Sequence, residues 1–393
     1  MTYRQARIKQ SIEQAAIFPL VLLGRFIGIF YRINNPGGYF FVFPNRDTGG
    51  SYKVNADLAN LVKDKKPVLL FTKHERNGGF RHLFEIEGAK IIDLSSQIDN
   101  KWLHFINIIW RGIIASSVNR CTRPVLFGGE CIYFYKLLPH VAKKTWRVEL
   151  CHVNIWLNYT QAFIPFIDKR IFSTEKIRRD HEHQYQQNRV PKKYFERLVF
   201  IDNKIPIPEE YWPAYKHVSV LFVGRGAPQK RACLVAEIAK RVIAIRPQIK
   251  FTMIGDVLNV VPDDVKKIIT IRTDIADPKQ LIQFYKNNNV LILTSLFEGL
   301  PIVVMDMMAQ GRVVLSTAVD GIPDYLKHMQ TGVLINEVKD EKKLINQAVD
   351  FILMLDDDEA LVKRLSANAR AFALSHFSAK VFDDSYKKML LIN

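Results

Sequence analysis

Cysteine is scarce in this chain of 393 residues, with four, at positions 121, 131, 151 and 233. Their spacing forms no metal-ligand set and no redox pair, so cysteine chemistry is excluded and a reducing cytoplasm is the simplest setting. Acid is also in short supply: 39 Asp and Glu stand against 56 Lys and Arg, a net charge of +17. An acidic partner is implied. The basic residues are dispersed and no nucleic-acid module is present, which favours an anionic membrane leaflet over nucleic acid. A bilayer-spanning run is missing too. Residues 15–31 are apolar apart from Gly24 and Arg25 and contain Pro19, whereas a spanning helix needs about twenty apolar residues. No small-residue cleavage site follows, so a secretory signal is not expected. With Arg4, Arg7 and Lys9 before it and Arg32 after it, the segment reads as an interfacial helix, the alternative being a buried core helix. The dinucleotide fingerprint fails because Gln229 stands where a glycine is needed, and no Gly-Lys-Ser/Thr of a P-loop is present.

Against these absences stands the run from Phe297 to Gly311, FEGLPIVVMDMMAQG. Glu298 and Asp306 bracket seven residues that begin Gly299-Leu300-Pro301. Glycine admits close backbone approach and proline is pre-set for a first helical turn, so the spacing predicts a helix whose free amides suit phosphate or sugar oxygens. Asp306 falls about two turns in, near the same side. Buried strands are predicted before it at 290–293 and after it at 313–317, which makes a βαβ unit with Glu298 beyond a strand's carboxyl end, where ligands bind in such sheets. The same pattern occurs upstream. A strand at 218–223 leads into Gly224-Arg225-Gly226, and a helix from about Arg231 carries apolar Leu234, Ile238, Val242 and Ile245. Arg225 and Lys230 flank that loop, and a guanidinium fork with a lysine point charge suits a diphosphate. A cation at a helix start opposes the helix dipole, so an anionic ligand accounts for Lys230 and Arg231 better than a solvated helix start does.

Gly224-Arg225 with Lys230, then Ile254-Gly255-Asp256, Thr294 to Pro301, Ala309-Gln310-Gly311 and Gly321-Ile322-Pro323-Asp324 resemble the donor half of the family-4 retaining glycosyltransferases of the GT-B fold. The likeness covers residues 218–335. It implies an α/β GT-B protein: two Rossmann-like, doubly wound parallel-sheet domains facing across a cleft. It also implies a nucleotide diphosphate sugar donor and no cofactor. By this resemblance Arg225 and Lys230 hold the diphosphate, Glu298 the transferred sugar and Asp306 the ribose. Gly224, Gly255, Asp256, Gly299, Leu300 and Pro301 complete the donor site. The family usually carries Glu where Asp306 stands, so the ribose contact is expected to be longer or water-mediated. Sugar departure and acceptor attack are expected on one face, the diphosphate helping to take the proton.

The expected division is an N-terminal basic and apolar segment at 1–35, an acceptor-side domain at 36–205, a donor-nucleotide domain at 206–375 and a helix at 376–393 crossing back to the first domain. In the acceptor-side half, strands are predicted at 39–43 and 68–72, with a helix at 54–62 between them. Residues 171–174 are read as its last strand and 176–197 as a solvated helix and surface loop. The Gly49-Gly50 loop resembles the family's first glycine-rich loop, near phosphates and acceptor. A strand at 125–127 enters Gly128-Gly129-Glu130, and one at 146–151 enters His152, which stands where the family often places a histidine touching the sugar; a structural histidine is the alternative. Asp356-Asp357-Asp358 is read as the cap of a surface helix, and no metal is expected, because a GT-B site stabilises its leaving diphosphate with protein cations and helix ends. The expected activity is retaining, metal-independent transfer to a glycan or lipid-linked acceptor in cell-surface polysaccharide synthesis, at the inner face of the membrane. The alternatives are a sugar phosphorylase, a nucleotide-sugar epimerase, or a non-catalytic membrane-surface glycan-binding protein.

Overall fold

Strand β1 (Tyr39–Phe43) is YFFVF, buried along its whole length, as expected of a strand covered on both faces of a parallel sheet. The computed structural model describes residues 2–47, 50–76, 78–152, 157–209, 217–273, 275, 278–298 and 302–392. By contact the chain forms two units, Met1–Asn203 with Asp383–Asn393, and Lys204–Phe382.

In the first unit β1 is joined by β2 (Val68–Phe71), β3 (Lys90–Asp93), β4 (Val125–Gly128), β5 (Trp146–Cys151), β6 (Lys169–Phe172) and β7 (Leu198–Phe200). All pairings are parallel, in the order β3-β2-β1-β4-β5-β6-β7. Among the described residues its α-helices of six residues or more are α1 (Tyr3–Phe30), α2 (Gly50–Leu61), α3 (His104–Arg120), α4 (Ile132–Leu137) and α5 (Glu175–Gln187). Residues 171–174 are therefore not the last strand here. β7 follows, and its three half-buried residues are too few to show a period. α5 is not simply solvated either, since Ile177, His181, Gln184 and Tyr185 are buried.

α1 starts well before the apolar run, at a capping box in which Thr2 and Gln5 satisfy each other's backbone amides. It lies along α3 at glycine crossings: a Cβ on Gly24 would come 2.0 Å from the Ile109 carbonyl oxygen, and one on Gly112 2.2 Å from that of Val21. Only glycine permits that approach.

The second unit contains β8 (Ser219–Val223), β9 (Lys250–Ile254), β10 (Thr270–Arg272), β11 (Val290–Leu293), β12 (Val313–Thr317) and β13 (Val333–Ile335). They are parallel in the order β10-β9-β8-β11-β12-β13. Its longer helices are α6 (Ala232–Ile245), α7 (Pro278–Asn287), α8 (Ile302–Ala309), α9 (Glu341–Asp357) and α10 (Glu359–His376), and α11 (Ala379–Met389) follows. Both sheets thus share one doubly wound order. Asp358 caps α10, accepting from the Leu361 amide at 2.8 Å, and Asp356 accepts from that of Val218 at 3.1 Å, so the acidic triplet does structural work at helix ends. Residues of α11 and beyond return to the first unit, where the Tyr39 hydroxyl donates to the Leu390 carbonyl at 3.1 Å and the Trp146 indole to that of Met389 at 2.8 Å.

Candidate functional site

In the second sheet the winding reverses between β8 and β11, and crevices in open α/β sheets form beyond the carboxyl ends of such a strand pair. The loop leaving β8 is Gly224-Arg225-Gly226, and it is zipped to the loop leaving β9. The Gly224 amide donates to the Ile254 carbonyl at 2.9 Å and the Gly226 amide to that of Asp256 at 2.7 Å. Gly255 has φ +123°, and a Cβ there would stand 2.1 Å from the Gly224 carbonyl oxygen; both its conformation and its crowding demand glycine. Arg225 and Asp256 are exposed on these loops. Arg225 has no hydrogen-bond or ion-pair partner among the described residues.

Lys230 closes the loop and forms an ion pair with Glu298, whose carboxylate also accepts from the Ser295 hydroxyl at 2.6 Å. Glu298 is buried, and its backbone amide donates to Asp320 at 2.8 Å. Two strand ends are therefore clipped together by one carboxylate flanked by a cation and a hydroxyl. Gly299, Leu300 and Pro301 lie outside the described residues, as does Gly49; Gly50 is the first residue of α2.

Arg231 departs from expectation. It has φ +48° at the start of α6 and no side-chain cap. Its guanidinium is buried and donates to the carbonyls of Thr294 at 2.6 Å, Val338 at 2.8 Å and Ser295 at 3.3 Å. The left-handed backbone turns this side chain away from the loop, so it holds the carboxyl end of β11 and does not face an anion. Burial pulls its guanidinium below the ordinary arginine range.

Asp306 sits half-buried in α8 and is hydrogen-bonded to Tyr285 of α7, whose hydroxyl is pushed up first by burial and then by the Asp306 charge. α8 closes with a Schellman turn, in which Gly311 at φ +64° donates to Met308 and Arg312 to Met307. The buried Arg312 guanidinium in turn donates to the Tyr285 and Lys286 carbonyls at 3.2 and 2.9 Å, satisfying the end of α7. Sequence reasoning gave Arg231 the wrong role and missed those of Ser295, Tyr285, Arg312 and Asp320. Ser295, three residues before Glu298, is the one with a local signal.

In the first sheet the reversal lies between β1 and β4. Gly129, past β4, would bring a Cβ 1.9 Å from the Leu150 carbonyl oxygen. Glu130, at φ +51°, accepts from the His152 amide at 2.6 Å, which fixes His152 at the end of β5. The His152 Nε2 is buried without a partner among the described residues. Burial lowers its imidazole to about 4, so it is neutral at physiological pH. Beneath it a buried Glu149–Arg170 pair is completed by the hydroxyls of Tyr135, at 2.7 Å from Glu149, and Tyr185, at 3.0 Å from Arg170. No group of three or more metal-ligating side chains occurs among the described residues.

Residues 217–353 match the model of a family described as glycosyl transferases group 1. An uncharacterized 41.2 kDa protein in the cps region of Klebsiella pneumoniae is 27% identical over 128 residues, which are 33% of this chain and 35% of that protein. The chain thus spans about a third of that relative's length. The structure of a glycosyltransferase from Rickettsia africae ESF-5 superposes with TM-score 0.67 and 13% identity over 90% of this chain and 100% of its own. Anabaena Alr3699/HepE in complex with UDP superposes with TM-score 0.64 and 14% identity over 90% and 99%. The two parallel-sheet units and these likenesses make the fold GT-B.

Proposed function

We propose, from the match of residues 217–353 to the group 1 glycosyl transferases within a GT-B fold, that the chain moves a sugar from a nucleoside diphosphate donor to a glycan or lipid-linked acceptor. Transfer retains the anomeric configuration, needs no metal, and serves cell-surface polysaccharide synthesis at the inner face of the membrane. The observation that carries this reading is the Lys230–Glu298–Ser295 cluster at the switch point of the second sheet. It offers a cation for a diphosphate beside a carboxylate for a sugar.

Arg225 and Lys230 take the diphosphate, with Gly224, Gly255 and Asp256 shaping the paired loops beside them. Glu298 faces the sugar, where positive charge grows as the bond from the anomeric carbon to the diphosphate breaks. The acceptor oxygen bonds to that carbon on the same face, and its proton passes to the departing diphosphate. Asp306 holds the ribose. Its carboxylate keeps lone pairs beyond the bond to Tyr285, and Asp306→Asn should mainly raise the donor's Michaelis constant. The first unit takes the acceptor side, and neutral His152, with an unpartnered ring nitrogen, is suited to a sugar hydroxyl.

The Anabaena protein's complex with UDP makes uridine donors the first to try. Thermal shift with UDP, GDP, ADP and their sugars, then donor turnover in EDTA, tests the reading. Expected are a shift with one nucleotide and release of that nucleotide from its sugar. Dependence on inorganic phosphate would mean a phosphorylase, interconversion without release an epimerase, and no shift with any nucleotide would end the reading.

A further inference from the structure

The outer face of α1 is the reverse of a soluble surface helix. Beyond Ser11, every residue of α1 that is exposed is apolar, and Phe18, Leu22, Leu23, Phe26, Ile29 and Phe30 are between 46% and 76% exposed. Its polar groups turn inward instead. Glu13 pairs with Lys136, the Arg25 guanidinium donates to the His140 carbonyl at 2.9 Å, and that of Arg7 to Ala162 at 2.8 Å. These bonds and the glycine crossings with α3 hold the helix along the body of the unit. Standing upright through a bilayer would break them.

At the carboxyl end of α1 lies a cavity of about 740 Å³, lined among others by Asn34, Ser117, Arg32, Arg120 and Arg123, and by no acid. None of the three arginines pairs with a carboxylate among the described residues. Arg32 bonds to the Ile29 carbonyl at 3.2 Å, Arg120 to that of Gly28 at 2.6 Å and to Ser116 at 3.0 Å, and Arg123 is exposed with no such contact. The cavity stands where the chain enters β1 and β4, at the amino-terminal edge of the sheet, opposite the edge that carries Glu130 and His152. Lys143 and Lys144, ahead of β5, lie on the same edge. Soluble monomers rarely expose so large an apolar face. A second copy docked through the same face would cover the stripe but would set arginine against arginine, whereas an anionic bilayer satisfies both.

We propose that α1 lies in the plane of an anionic bilayer with its outer face among the acyl chains, and that the cavity takes the phosphate of a phospholipid headgroup between Arg32, Arg120 and Arg123. This rests on the membrane part of the proposed function and not on sugar transfer. The whole chain should bind vesicles of phosphatidylcholine with phosphatidylglycerol more tightly than vesicles of phosphatidylcholine alone. Arg32→Ala with Arg123→Ala should weaken binding to the anionic vesicles about 30-fold and leave binding to the neutral ones unchanged. Phe26→Glu with Phe30→Glu should abolish both. Soluble dihexanoyl-phosphatidylglycerol should raise the melting temperature of the parent and not of the arginine variant. Equal binding of parent and arginine variant to anionic vesicles would overturn the headgroup site, and an equal thermal shift with inorganic phosphate would make it a free-anion site. A dimer by light scattering that ignores vesicles would give the face to a second copy. The UDP shift, retained in every variant, keeps failure here separate from failure of the transferase reading.

Discussion

Replacing Glu298 by Gln should tighten binding of UDP while slowing turnover, an opposition that follows from what Lys230 does in the unliganded protein. Its ammonium is engaged with Glu298, and the two side chains are only 15% and 6% exposed. An arriving diphosphate must draw that ammonium away from a carboxylate. Glutamine keeps the shape and can still accept from Ser295, but its amide oxygen offers the ammonium an ion–dipole bond in place of an ion pair. Losing the carboxylate's charge gives up about 1 kcal/mol of ion-pair attraction, so the more easily released Lys230 gains the nucleotide roughly fivefold in affinity. Turnover should fall about 10²-fold, because the lost charge faces the positive charge that grows only in the transition state. Lys230→Ala is the counterpart. It should weaken UDP binding ten- to a hundredfold, within the roughly 1.5–3 kcal/mol of a charge-assisted contact. It should also cost about 3 kcal/mol of stability, the low end for stranding one partner of a buried pair. Calorimetric titration with UDP and steady-state kinetics on the purified variants read both quantities. If Glu298→Gln binds UDP more weakly than the parent, or turns over at the parent rate, the reasoning about the shared cation is wrong.

Arg225→Ala should leave the urea midpoint within the range of an ordinary surface change, since Arg225 is exposed without a partner among the described residues, yet weaken UDP binding roughly ten- to a hundredfold; unchanged affinity would remove Arg225 from the diphosphate site. Gly255→Ala should lower stability by about 2 kcal/mol or more and disable nucleotide binding, because its φ of +123° and the Gly224 carbonyl at 2.1 Å leave no place for a Cβ; a variant as stable as the parent would refute the geometry. Burial lowers His140 to about 4 and His181 to about 3. The unfolded chain therefore binds protons first: their contribution is complete above about pH 6.5 and is lost as pH falls toward those values, by about 1.4 kcal/mol per pH unit for each. Urea unfolding at pH 7, 6 and 5 should show this, and a flat profile would contradict it.

Strands β8, β11 and β12 were legible in the sequence because they are continuous apolar runs, and α6 because it holds a 3.6-residue period; β10, Thr270-Ile271-Arg272, has a single apolar residue and gave no such signal. The chemistry of β8 and β11 was legible for a related reason: glycines and charged residues interrupt those runs only where the strands end. Arg231 was not. Nothing in a linear string distinguishes a basic residue at a helix start from one whose left-handed backbone swings its guanidinium under the neighbouring strand. Spacing placed Asp306 about two turns into its helix but could not say which side chain from another helix would meet it; Tyr285 does. β7 stayed hidden because three half-buried residues have no period to read. In α1 the apolar run was visible, while its inward-facing polar partners, Lys136 and the His140 and Ala162 carbonyls, lie more than a hundred residues away along the chain.

The bonds from Tyr39 and Trp146 to the backbone of Leu390 and Met389 also set a timetable for biosynthesis. Residues 383–393 leave the ribosome only after all of 204–382 has emerged. Strands β1 and β5 thus spend the translation of the entire second unit without those two bonds. The half of the protein made first is the half finished last.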